Sequence, residues 1–143
     1  MNVDTILGNK GHGVESPPPD WTVIQVCSHL DTLGVGALVI SADGQRVDGI
    51  VSEQDVIRHI AQEGPGIPER PVCEIMIRKV VTCSRQDDIA HLMETMTERR
   101  IRNLPVTENG DLIGIVSIGD VVKHRILETE REASALRQYI TTG

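Results

Sequence analysis

Two pairs of side chains have types and a spacing that could do chemistry: Ser52 with Asp55, and Ser117 with Asp120. Each pair follows an apolar run, Gly49-Ile50-Val51 or Gly114-Ile115-Val116, and opens a stretch with helical spacing. A serine at the end of a strand with an acid three residues on is a variant of the capping box, and it stabilises a helix by about 1 kcal/mol. The same geometry suits a ligand. A helix N-terminus presents unpaired N–H groups and the positive end of its dipole, which favours phosphate. A carboxylate beside it can accept hydrogen bonds from two neighbouring ribose hydroxyls, as the acidic residue does in dinucleotide folds. Capping is the first explanation for either pair taken alone, and the two uses are compatible.

The other reactive side chains offer less. Cys27, Cys73 and Cys83 are odd in number and lack a CxxC spacing, so they read as free thiols in a reducing cytosol, and a cytoplasmic location is expected. His12, His29, His59, His91 and His124 lack metal-ligand spacing, and no metal is expected. Catalytic signatures such as G-x-S-x-G, H-E-x-x-H or a Walker lysine are absent, so the expectation is a protein that is not an enzyme. Cys83, near Arg85 and His91, is the one conceivable nucleophile, and a free cysteine in a loop beside a cleft is more often inert.

The elements that must hold the two Ser/Asp pairs repeat with them. Gly49–Arg58 reappears 65 residues later as Gly114–Lys123, and Ala37-Leu38-Val39-Ile40 corresponds to Asn103-Leu104-Pro105-Val106 at an offset of 66. The extra residue of the first copy belongs in the turn around Asp43-Gly44-Gln45-Arg46. Val23, Val26, Cys27 and Leu30 match Ile89, Leu92, Met93 and Met96, each set an i, i+3, i+4, i+7 stripe of an amphipathic helix. Val3–Leu7 also resembles Val72–Met76. Each copy reads as a short extended piece (13–16; 80–82), a helix (22–33; 86–99), two strands and a second helix (53–63; 118 onward). The strands, 38–41 with 47–51 and 104–107 with 112–116, flank the hairpin signals Asp43-Gly44 and Asn109-Gly110. The expected fold is therefore α/β (α+β), two β-α-β-β-α repeats over 1–64 and 72–127. A Pro- and Gly-rich linker spans 65–71 and a helical extension 128–143. A repeat this short buries its apolar face only with its sibling.

Composition bounds the partners. The chain has 143 residues, a formal charge of −7, one Trp, one Tyr and no Phe. Recognition by base stacking and a basic nucleic-acid footprint are both disfavoured. No apolar run approaches the ~18 residues that span a bilayer, so no membrane association is expected.

The doubled G-I-V-S-x-x-D, the segment Ile101-Arg102-Asn103-Leu104-Pro105-Val106 and the segment Val80-Val81-Thr82-Cys83-Ser84 resemble CBS domains, named for cystathionine β-synthase. These occur as tandem pairs, and the resemblance covers about 1–127. It implies regulatory binding of an adenosyl ligand, AMP or NAD(H) foremost, with ATP, ADP or S-adenosylmethionine as further members of the class. Two clefts between the repeats would hold it. By position, Asp55 and Asp120 would hold ribose hydroxyls, and Ser52 and Ser117 would lie near ribose or phosphate. Thr82 with Ser84, and Ser16 with Pro17, would line the adenine end. Leu104-Pro105 and Leu38-Val39, flanked by Asn103 and Ala37, would form the apolar wall. The resemblance also implies a homodimer of CBS pairs and a regulated protein that the sequence does not name. The chain departs from the pattern at Ser84-Arg85, where the family commonly has Pro, and at Asn103, where it often has His.

The copies differ in charge. Copy two carries Arg99, Arg100 and Arg102 before its first strand, where copy one has Leu33-Gly34-Val35-Gly36. Arginines beside a helix N-terminus can grip phosphate bidentately, although cations at the end of a helix are also favourable on their own. Arg102 adjoins the strand, so the expectation is two unequal sites, with the more anionic ligand at Asp120. The last helix has apolar residues Val122, Ile126, Ala133, Leu136 and Ile140, with Thr129 among them, at alternating steps of four and three. That seam packs either on its own domain or on a second copy. The competing function is a structural or oligomerisation module without ligand.

Overall fold

The structure is a computed structural model that describes residues 1–10 and 14–142, apart from the side chains of residues 9, 10 and 142. Gly13 and His12, named above, lie outside the described residues. The order is α1 (Val3–Lys10), α2 (Val23–Leu33), β1 (Ala37–Ile40), β2 (Gly49–Ser52), α3 (Glu53–Glu63), α4 (Ile89–Arg99), β3 (Asn103–Glu108), β4 (Asp111–Ser117) and α5 (Ile118–Thr142). Short 3-10 turns at Ile67–Glu69 and Val72–Glu74 lie between α3 and α4. The fold is α+β, with two antiparallel hairpins, β1–β2 and β3–β4.

The hairpins share one register. Ala37 faces Ser52 in the first, and Asn103 faces Ser117 in the second. Asn109 and Gly110 both have positive φ (53° and 84°), the backbone of a two-residue type I′ turn. The longer first turn is closed by Asp43, whose Oδ1 accepts the Gln45 and Arg46 amides at 2.8 Å each. Those amides hold its carboxyl below its ordinary range.

Two sequence expectations change. α4 begins at Ile89 rather than Gln86, because Asp87 Oδ2 accepts the Ser84 amide at 2.9 Å and folds residues 84–87 into a turn. The leading extended pieces form no strand among the described residues. In copy two, 80–82 is irregular and the pairing falls on Cys83, whose N–H donates to Pro105 O while its carbonyl accepts from Thr107 N–H. In copy one, Ser41 N–H donates to Pro17 O at 3.0 Å. Pro17 has no N–H to return the second bond, so the ladder cannot extend there.

The cores cross the sequence. Val3, Ile6 and Leu7 of α1 pack with Ile89, Leu92, Leu104 and Val116 of copy two. Ile67, Val72, Ile75 and Met76 pack with Val23, Val26, Leu38 and Val51 of copy one. The backbone repeats the exchange. Val3 N–H donates to Asp87 O and Val72 N–H to Trp21 O, while Asp4 N–H donates to Arg85 O and Cys73 N–H to Pro19 O. Glycine permits the close approach: a Cβ on Gly49 would lie 2.5 Å from Met76 Sδ, and one on Gly114 would lie 2.5 Å from Leu7 Cδ2. Ile6 is fully buried. Ile6→Ala is expected to destabilise the protein by about 2–5 kcal/mol. In urea unfolding followed by circular dichroism, a midpoint unchanged from wild type would show that α1 is not part of the copy-two core.

Candidate functional site

The two Ser/Asp pairs close the same bonds. Ser52 ends β2 with extended backbone and caps α3. Its N–H and hydroxyl donate to Asp55 Oδ2 at 2.8 and 2.9 Å, and its oxygen accepts the Asp55 amide at 3.3 Å. Ser117 and Asp120 repeat this at 3.0, 2.9 and 3.2 Å. Their surroundings differ. Asp55 is 4% exposed, and Arg58 Nη2 donates to its Oδ1 at 2.7 Å. Asp120 is half-buried, and its carbonyl accepts from His124 Nδ1, a buried ring, at 2.8 Å.

A cleft of about 720 Å³ lies between the copies. Copy one contributes Ala37, Ile50, Ser52, Gln54, Asp55 and Arg58. Facing them, from copy two, are Ile77, the end of α4, the segment Arg99–Asn103 and Ile118. Arg100 closes α4 in the left-handed conformation (φ 56°), which turns the chain back toward β3. The Arg102 carbonyl accepts the Ile118 amide at 2.8 Å, tying that segment to the start of α5. Arg58, Arg99, Arg100 and Arg102 line the cleft, and its one carboxylate among the described residues is Asp55. The pocket is locally cationic in an acidic chain.

The family model for the CBS domain matches residues 14–62 and 72–126. The chain belongs to the CBS domain family. A mitochondrial CBS domain-containing protein of Arabidopsis thaliana is 35% identical over 149 residues, which is 99% of this chain and 72% of that protein. The chain spans 43% of a longer Thermofilum pendens relative. Among solved structures, a CBS-domain containing protein from Agrobacterium tumefaciens superposes with a TM-score of 0.83 at 39% identity, covering 87% of this chain and 99% of that one. A CBS domain protein from Pyrobaculum aerophilum complexed with AMP gives 0.73 at 29% identity, covering 84% and 89%.

Of the positions assigned from sequence, the cleft of this CBS pair gathers Ala37, Ser52, Asp55, Arg102 and Asn103. Ser16, Pro17, Leu38, Val39, Thr82, Ser84, Leu104, Pro105, Ser117 and Asp120 do not line it. Leu38 and Leu104 belong to the two cores. Thr82 is exposed, Ser16 and Ser84 are half-buried, and Pro17, Val39 and Pro105 are buried. The arginines were expected beside Asp120; Arg99, Arg100 and Arg102, around the left-handed turn at Arg100, line a cleft with Ser52 and Asp55 of the other repeat. Arg58 was missed by sequence reasoning. Its signal was present, since a cation three residues after an acid shares its helix face.

Cys83 is 6% exposed, and burial, with Asp87 nearby, pushes its thiol up to about 12. At pH 8 almost none of it is thiolate, the nucleophilic form. Among the described residues no three His, Cys, Asp or Glu side chains gather where they could hold a metal ion, and no helix is long and apolar enough to cross a membrane. Iodoacetamide at pH 8 is expected to label the half-buried Cys27 and Cys73 of the native protein and to spare Cys83 until urea unfolds it. Peptide mapping of the labelled protein checks this, and rapid native labelling of Cys83 would contradict the burial.

Proposed function

We propose that this CBS pair is a regulatory, non-catalytic module that binds an adenosyl nucleotide, AMP or NAD(H) foremost, and signals its bound state to a partner protein. One observation carries the reading: the capped start of α3 and the carboxylate of Asp55 share a cleft with three arginines from the other repeat. Asp55 supplies acceptors for a ribose diol, and the arginines supply bidentate donors for phosphate. Ile50, Ile77, Ile101 and Ile118 offer an apolar surface to a purine without any aromatic side chain. The AMP complex of the Pyrobaculum aerophilum relative supports this class of ligand. ATP, ADP and S-adenosylmethionine fit the same class. A ribose reaching Asp55 must share or displace Arg58, and a displaced guanidinium is free to meet phosphate. The module acts as a homodimer of CBS pairs in this reading.

A ligand-free structural module is the second reading, and a specific observation favours it. Both oxygens of Asp55 already hold hydrogen bonds from Ser52 and Arg58. Thermal denaturation with AMP, ADP, ATP, NAD, NADH and S-adenosylmethionine separates the two. A true ligand at 100 times its Kd is expected to add about 2.7 kcal/mol of stability. Asp55→Ala should abolish that gain, and Arg102→Ala should weaken binding about 10–100-fold, the loss of a charge-assisted bond of about 1.5–3 kcal/mol. If no nucleotide shifts the wild-type Tm, and Asp55→Ala costs only cap stability, the structural reading stands.

A further inference from the structure

α5 runs for 25 residues, about 37 Å. From Thr129 onward it has no buried residue among those described, and only Ala133 is half-buried. Leu136, Tyr139 and Ile140 are 61%, 76% and 69% exposed. An isolated helix of about 12–15 residues, the length of that second half, is marginal in water, and exposed almost throughout it lacks the packing that holds helices together. Its apolar residues are ordered as a coiled-coil seam. With Ile126, Ala133 and Ile140 at the a positions, Val122, Thr129 and Leu136 fall at d. Thr129 enters without an unmet donor, because its hydroxyl bonds to the Arg125 carbonyl at 2.9 Å. Ile126 and Ile140 at a, with Leu136 at d, match the pattern that favours two strands.

The flanking charges choose the partner and the direction. The g positions are Arg125, Glu132 and Tyr139, and the e positions are Lys123, Glu130 and Arg137. In a parallel pair each g residue meets the e residue five places on in the other helix. That sets Arg125 against Glu130 and Glu132 against Arg137, opposite signs in both cases. Arg125 already bonds Glu128, but a guanidinium has five donors and is not exhausted by it. Run antiparallel with Val122 opposite Ile140, the same helices set Lys123 against Arg137, and Glu130 and Glu132 each against itself.

We propose that the exposed half of α5 pairs in parallel with α5 of a second copy of this chain. This gives a contact surface to the homodimer of the functional reading, and it rests on that part of the reading alone, not on the ligand.

Sedimentation velocity and light scattering of the full chain at tens of micromolar test it. The wild type is expected at a multiple of two chains, and Leu136→Glu/Ile140→Glu at half that mass with an unchanged circular dichroism spectrum. Glu132→Arg should weaken association by placing a second cation opposite Arg137, and adding Arg137→Glu should restore it. A monomeric wild type, a mass unchanged in the Leu136/Ile140 variant, or failure of the double charge reversal to restore association would each overturn the proposal. Thermal shifts by AMP measured on the same variants keep the questions apart, since loss of pairing and loss of ligand response then register separately.

Discussion

Each hairpin has an apolar side that its own copy does not cover alone, and a segment of the other copy completes it. α1 closes the copy-two core with Val3, Ile6 and Leu7, and Val72, Ile75 and Met76, with Ile67 of the linker, close the copy-one core. The exchange is repeated bond for bond, from Val3 to Asp87 and from Val72 to Trp21. Burial of apolar surface is what drives it. Neither copy has a complete core alone, so the two fold as one body. Two glycines answer to this closure. Gly49 and Gly114 lack side chains where Met76 and Leu7 press against the hairpins.

The cleft is a by-product of that closure. Once the copies are locked together, the start of α3 faces the end of α4 across a shared surface, and Arg99, Arg100 and Arg102 stand opposite Ser52 and Asp55. The net charge of −7 says nothing of this, because a local field depends on which charges share a cleft rather than on their sum. The cleft also touches Ile118, the first residue of α5. In the proposed reading, a ligand held there would contact both repeats and the root of the helix whose far end is exposed. Any bias on the assembly would equal the difference in its affinity for two arrangements.

Local order was legible wherever the information is local. The capping pairs Ser52/Asp55 and Ser117/Asp120, the Asn109-Gly110 turn and the stripes of α2 and α4 are properties of a few neighbouring residues, and the spacing of types is enough to read them. α3 falls at the expected 53–63 because Ser52 fixes its start. The start of α4 was misplaced because Asp87 uses its side chain to hold a turn that competes with the helix. The leading piece of copy one forms no strand for a comparable reason: Pro17 lacks the donor that a ladder needs.

The sequence by itself determined the duplication, the α+β elements, the two capped helix starts and the family to which they belong, since each is encoded in short-range pattern. The tertiary structure alone decided that the leading segments change places and that the arginines of copy two share a cleft with the start of α3 in copy one. Those facts join residues tens of positions apart. No local periodicity records such a pairing, because it is selected by which apolar faces can cover each other when the whole chain packs.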